Sequence, residues 1–157
     1  MTTFTFVDTS VLCELLEVPG KSSPQRAAAL KEEADRRHRD GERFVIPITT
    51  VIETGNHIAQ ADGNRFEVAG RLVRLLELAV AGQSPWRVLQ TRLGPEFLLA
   101  LCAGDSTGQS LQALAAARVG TGDVALLVER DQLLVGSAAA SVKVWTLDAG
   151  LAAQAAS

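Results

Sequence analysis

Apolar and polar positions alternate over Phe4-Thr5-Phe6-Val7. Beyond Asp8 the period changes, and Val11, Leu12, Leu15 and Leu16 recur at helical spacing. A spacing of two belongs to a half-buried strand and one near 3.6 to a helix with one apolar face, so a strand runs into a helix at Asp8. "PGKSSP" (Pro19 to Pro24) reads as a turn. Ser23-Pro24 then opens a helix, because proline in the first helical position gives up no needed donor; this helix is expected to reach Asp40, with Gly41 beyond it. "FVIPI" (Phe44 to Ile48) is a short apolar run with Pro47 near a strand end. A helix is expected over Thr49–Gln60 and a longer one over Asn64–Ala81. The apolar stripe of the longer one is assigned to Phe66, Ala69, Leu72, Val73, Leu76 and Val80, and Gly82 closes it.

"PWRVLQTR" (Pro85 to Arg92) is too short to assign. Helical patterns resume in "PEFLLALC" and "TGQSLQALAAARV", separated by a Gly104-Asp105-Ser106 turn, and another helix starts at the second glycine of "GTGDVALLVERDQLL". "GSAAAS" follows as a small-residue stretch. "VKVWTLD" (Val142 to Asp148) alternates again and ends on an aspartate, before the short helical tail "AGLAAQAA". Strands separated by helices, with no tight hairpin, imply parallel pairing through crossover helices. The expected fold is α/β, a three-layer α/β/α arrangement around a central, mainly parallel sheet, as a single domain over residues 1–157. In open parallel sheets ligands bind beyond the carboxyl ends of the strands, where Asp8 and Asp148 stand.

Composition narrows the classes. A chain of 157 residues, 47% hydrophobic and 21% charged, has the makeup of a globular protein and not of a disordered one. "MTTFTFVDTS" carries no basic leader or secretory apolar run, and no later segment offers about 18 uninterrupted apolar residues, so a soluble cytoplasmic protein without a membrane span is expected. Cys13 and Cys102 lie in apolar helical patterns without metal-ligand spacing and are read as reduced core residues. Fifteen basic against eighteen acidic residues, a net charge of −3, do not mark a nucleic-acid binder by bulk electrostatics. Binding of that kind has to be local or has to use cations.

Four acids stand at helix starts: Asp8, Glu53, Asp123 and Asp148. Singly, each has an ordinary role. Asp8 and Asp148 are favoured N-caps, Asp123 complements a helix dipole, and Glu53 completes the capping-box spacing Thr50-x-x-Glu53. Jointly they suggest more. If the helix starts converge, four carboxylates that close raise one another's pKa and call for a cation, for which Mg²⁺ or Mn²⁺ is the oxygen-loving choice. A bound metal would also turn an acidic pocket into a phosphate-binding one.

The segments "FVDTSVL", "TTVIETGNHI", "GTGDVALL" and "VWTLD" resemble, in order and across nearly the whole chain, the successive motifs of the PIN-domain nucleases, the family that includes the VapC-type toxins of toxin–antitoxin pairs. The resemblance implies that Asp8, Glu53, Asp123 and Asp148 hold Mg²⁺ or Mn²⁺, with Thr9, Ser10 and Thr146 as supporting hydroxyls. It implies metal-assisted hydrolysis of RNA, a small antitoxin partner and a homodimer. His57, one turn after Glu53, either touches substrate or orients the glutamate. Two features depart from the pattern: "GSAAAS" adds length between Asp123 and Asp148, and Asp148 is followed by Ala149-Gly150. Asp105 and Asp131 are the spare acids nearest in sequence, although neither follows an expected strand.

Substrate contacts beyond the metal are less defined. Arg36, Arg37, Arg39 and Arg43 form the densest basic group and could meet RNA phosphates. The spacings Glu32–Arg36, Glu33–Arg37 and Asp35–Arg39 equally describe a solvated helix face. Trp86 and Trp145 are the only tryptophans available to stack on bases, with Trp145 assigned to the core. Two other readings stand beside the ribonuclease. One is a catalytically inactive PIN-like domain that binds RNA or protein; the other is a phosphatase or receiver-like domain, which would need a lysine opposite the acids, with Lys143 as its candidate.

Overall fold

The computed structural model describes residues 1–137 and 141–156. It has α/β architecture with a four-stranded, all-parallel sheet in the order β3-β2-β1-β4. β1 (Thr3–Val7) runs into α1 (Thr9–Leu15), and α2 (Pro24–Arg39) leads to β2 (Arg43–Val45). α3 (Ile48–Gln60) and α4 (Arg65–Val80) return to β3 (Trp86–Arg87), which forms inside the segment that the apolar pattern leaves unassigned. α5 (Pro95–Ala103), a 3-10 turn (Asp105–Thr107), α6 (Leu111–Ala116) and α7 (Thr121–Gly136) precede β4 (Ser141–Trp145) and α8 (Ala149–Ala155). Half of the "GSAAAS" stretch, residues 138–140, lies outside the described residues.

The alternation along β1 builds the layers. Val7 faces a core shared with Phe44, Ile46, Trp145 and the apolar sides of α1 to α4. Phe6 points the other way, with Val45, toward Leu126 and Leu127 of α7 and Leu151 of α8. Each face of the sheet is therefore covered by helices, which is the condition under which a parallel sheet is stable. β1 pairs with β2 on one side and β4 on the other, so the chain steps outward through β2 and β3 and then crosses back past β1. That reversal puts the switch point at the carboxyl ends of β1 and β4, where open α/β sheets have their crevice.

α2 follows the expected boundaries: Ser23 caps its start, accepting from the Arg26 amide at 3.2 Å, and Asp40 ends it. α4 differs. Its buried row is Val68, Leu72, Leu75 and Ala79, with Ala69 and Leu76 at the margin, whereas Phe66, Val73 and Val80 are exposed, Phe66 at 96%. Apolar residues cover a wide arc of this helix, and the core takes the row one position round from the one that the periodicity selects. Cys13 is buried as expected, and Cys102 is exposed. α5 meets α7 through Phe97, Ala100 and Leu101, which leaves Cys102 on its outer side. None of the described helices is long and apolar enough to cross a membrane.

Candidate active site at the carboxyl ends of β1 and β4

Asp8, Glu53, Asp123 and Asp148 line one open cleft of about 550 Å³. They arrive from four helices in both helical layers, three near helix starts and Glu53 from the second turn of α3, and hydroxyls hold Asp8 and Glu53. Asp8 caps α1 with extended backbone, and its Oδ2 accepts from the hydroxyls of Ser10 and Thr146, each at 2.7 Å, and more distantly from the Ser10 amide at 3.4 Å. Thr146 also accepts from the Asp148 amide at 2.9 Å, and Ser10 Oγ accepts from the Leu147 amide at 2.9 Å. These bonds join the turn after β4 to the turn after β1. Asp148 caps α8 through Oδ1, which accepts from the amides of Gly150 at 2.7 Å and Leu151 at 3.1 Å.

Glu53 is in the cleft for a reason other than the capping box. α3 begins at Ile48 with Pro47 as its cap residue, so Thr50 already lies inside the helix, and its buried hydroxyl donates to the Val7 carbonyl at 2.9 Å. Glu53 falls in the second turn, where its Oε2 accepts from Thr9 Oγ1 at 2.8 Å. On its other side is Gly122 of α7. A Cβ added to Gly122 would collide with Glu53 Oε1, would lie 2.9 Å from its Cδ and would press on Thr49 Cγ2 at 3.2 Å. A side chain at 122 would therefore have to displace the Glu53 carboxylate, so the glycine leaves that carboxylate its place between α3 and α7.

The bonds leave a pattern. Among the described residues, each hydrogen bond to Asp8 lands on Oδ2, the bond to Glu53 lands on Oε2, and those to Asp148 land on Oδ1. Each of the three carboxylates is tied by one oxygen and keeps the other unengaged. Asp123, in the first turn of α7, has no hydrogen bond to its carboxylate among the described residues. Its carboxyl is pushed up to about 6, first by burial and then by the negative charges of Asp8, Asp148 and Glu53. Among the described residues no ion pair reaches any of these four carboxylates.

These donors have the chemistry of a hard-cation site. They are carboxylate and hydroxyl oxygens, the set that suits Mg²⁺ or Mn²⁺. The neighbouring Cys13 is an unsuitable ligand, since burial raises its thiol to about 11 and keeps it protonated. The side chains are not drawn into a finished coordination shell: among the described residues no three Asp, Glu, His or Cys groups stand close enough to hold one ion. The group fits the cation in donor type and in the mutual repulsion that raises Asp123.

Other expected participants sit differently. His57 lines the cleft but makes no hydrogen bond to Glu53 among the described residues. Asp105 and Asp131 line no part of the cleft: Asp105 accepts from Ser106 Oγ at 3.2 Å and is raised by burial, whereas Asp131 accepts from Arg130 at 2.8 Å. Lys143 is engaged by Glu42 at 2.9 Å, so it is not a lysine opposite the acids. Of the expected helix pairs in α2, Glu33–Arg37 forms at 2.7 Å, whereas Glu32–Arg36 and Asp35–Arg39 do not, and none of Arg36, Arg37, Arg39 or Arg43 lines the cleft. Arg37 instead lies over the buried Trp145 at 4.8 Å. Trp86 packs edge-on against Phe44, with centroids 5.3 Å apart.

Three contributors escape a reading of the chain alone. The cations of the cleft are Lys21 and Arg26, both in a segment that reads only as a turn and a helix start. Glu14, buried beneath them, accepts from the Ser23 amide at 3.1 Å and pairs with Arg26. Glu129, two turns along α7 from Asp123, accepts from the Ile48 amide at 3.3 Å and from Thr91 at 3.1 Å, capping from outside a helix whose own cap residue, Pro47, has no side-chain donor or acceptor. Burial raises its carboxyl despite these bonds. Glu129 thereby fixes α3 against α7, and with it Glu53 against Asp123. No protein-family model, curated protein or solved structure matches this chain at a significant level.

Proposed function

We propose that this chain is a metal-dependent ribonuclease of the PIN type, acting in the cytoplasm, with Asp8, Glu53, Asp123 and Asp148 as ligands of Mg²⁺ or Mn²⁺. The observation that supports it is the uncompensated carboxylate group at the sheet's switch point: four acids share one cleft, and Asp123 is raised to about 6 by burial and by the other three. A structural role gives no reason to gather like charges that cost stability. A cation-binding role does.

In this reading the bound cation would lower the pKa of a water and neutralise charge on a phosphodiester. The chain's own part is positioning. Ser10 and Thr146 hold Asp8 by one oxygen so that the other stays available, and Thr9 does the same for Glu53. Gly122 lets α7 bring Asp123 against Glu53, and Glu129 holds the two helices in register. Rigid support of this kind is what metal ligands need from their surroundings. The proposal extends to RNA as substrate and, with the PIN-type reading, to a role as a toxin restrained by a small antitoxin and to self-association as a homodimer. An adjacent small reading frame with a DNA-binding amino terminus would support the toxin role.

The test is Asp8→Asn. It should lower Mg²⁺-dependent cleavage of single-stranded RNA by on the order of a thousandfold, since the metal supplies several kcal/mol of the rate enhancement, with an unchanged circular dichroism spectrum. Retained cleavage would refute the reading. The absence of a ready-made three-ligand group favours one alternative, a PIN-like domain that binds RNA or protein without cutting. Calorimetry separates them: no heat of Mn²⁺ binding at millimolar concentration would support the binding domain.

A further inference from the structure

The acidic cleft continues past its four carboxylates. A second hollow of about 370 Å³ opens beside it, between the Pro19–Lys21 turn and the last turn of α3 near Gln60 and Asp62, and Lys21 and His57 line both. The two hollows thus share a lysine and an imidazole at their border. A hollow of this size is in the range that proteins use to hold small organic groups.

The two cations of the cleft are not equivalent. Arg26 is committed to the buried Glu14 carboxylate. Lys21 makes no ion pair among the described residues, although it lines a cleft that holds several carboxylates. The turn that presents it is well defined: the Lys21 amide donates to the Val18 carbonyl at 3.0 Å, and Gly20 adopts φ +79°, a left-handed conformation that favours glycine. An ammonium group with no internal partner, at the border between a phosphate-cleaving centre and an adjoining hollow, is placed to meet an anion that arrives with the substrate.

We infer that Lys21, with His57 beside it, binds the RNA phosphate adjacent to the one being cleaved, so that the strand passes from the carboxylate cleft into the second hollow. The flanking nucleotide then lies between the Pro19–Lys21 turn and the end of α3. The inference rests on the ribonuclease reading and names the part of the substrate that this site would grip. It makes the substrate a single strand at least one nucleotide longer than the scissile linkage requires, because a terminal linkage would leave Lys21 without its phosphate.

The experiment is steady-state cleavage of a short fluorescent single-stranded RNA in Mg²⁺ by the natural chain, Lys21→Ala and Lys21→Arg. Lys21→Ala should raise KM by about tenfold while kcat stays within about twofold, and should reduce the slope of log affinity against log salt by about one. Lys21→Arg should restore most of the loss. An oligonucleotide with one uncharged methylphosphonate linkage, placed in turn on each side of the scissile bond, should reproduce the defect at one position in the natural chain and add nothing further in Lys21→Ala. If the natural chain cleaves RNA and Lys21→Ala matches it in KM and salt slope, this inference falls and the ribonuclease reading stands. If the natural chain shows no Mg²⁺-dependent cleavage, both fall.

Discussion

Two buried or half-buried carboxylates, one in the turn before β2 and one in the first turn of α7, have opposite surroundings. Glu42, where α2 hands over to β2, accepts from Thr5 at 2.6 Å, Lys143 at 2.9 Å and Arg37 at 3.2 Å. Burial works to raise its carboxyl, but the hydroxyl and the two cations outweigh it and hold the group below the ordinary range. Asp123 is also penalised by burial, and the charges that act on it, those of Asp8, Asp148 and Glu53, are negative, so it is driven upward. The first carboxylate is finished by the fold. The second has no such partners among the described residues, and under the proposed function that contrast separates structural charge from charge kept for a cation.

The contrast can be broken from either side. Glu42→Ala removes the acceptor from two cations and should destabilise by about 2 kcal/mol, less than a fully buried pair would cost because Lys143 can reach water; a urea midpoint measures it. Gly122→Ala tests the other side without touching a ligand. An alanine in the first turn of α7 should leave stability equal or raise it by about 0.5–1 kcal/mol, yet its methyl displaces the Glu53 carboxylate. Cleavage and Mn²⁺ affinity should then fall roughly 10- to 100-fold, the usual cost of disturbing a ligand's support. Loss of activity in a more stable protein would separate site from scaffold.

Asp123→Asn addresses the cost of the like charges. An unfolded aspartate titrates near 3.9 and folded Asp123 near 6, so the folded state binds the extra proton and stability falls as pH rises through that window. Asp123→Asn should therefore stabilise the metal-free protein by roughly 1–2 kcal/mol at pH 7.5, a value reduced for solvent screening, and by almost nothing at about pH 3, below the unfolded value. Thermal melts at the two pH values check it, and Mn²⁺ should stabilise the natural chain more than the variant. Glu42 runs the other way, losing its stabilising effect as acid protonates it. The smallest effect is expected for Glu129→Gln, which keeps the shape of the outside cap but weakens it by about 1 kcal/mol. A fall in Mn²⁺ affinity beyond that small loss of stability would show that the clamp positions Glu53.

Much of the acidic cleft is legible along the chain, for reasons that differ by residue, whereas the partners of Glu42 are not. Asp8 and Asp148 stand out because an alternating run ends on each, and a strand end in a parallel sheet is a place in space as well as in sequence. Asp123 follows from glycines ahead of a helix start. Glu53 was marked by a local capping pattern that does not form, because Pro47 starts the helix earlier and Thr50 turns to the Val7 carbonyl. Glu129 and the contact of Gly122 with Glu53 cannot be seen, since each partner comes from a distant segment, and Glu14 acts across the turn into α2. The rotation of α4 was hidden for another reason: a wide apolar arc offers two rows with the same period, and only the packed neighbours choose between them.

The order of the strands also bears on when the site comes into being. β1 meets β2 early in the chain, but its other neighbour, β4, is separated from it by more than a hundred residues, and Thr146 and Asp148 come with β4. A nascent chain that has already built α1 and α3 still lacks the hydroxyl that steadies Asp8 and the fourth carboxylate. Pairings this distant in sequence are the slow ones to close. The cleft is therefore assembled last, and a truncated or half-made molecule carries its acids without the arrangement that could arm them.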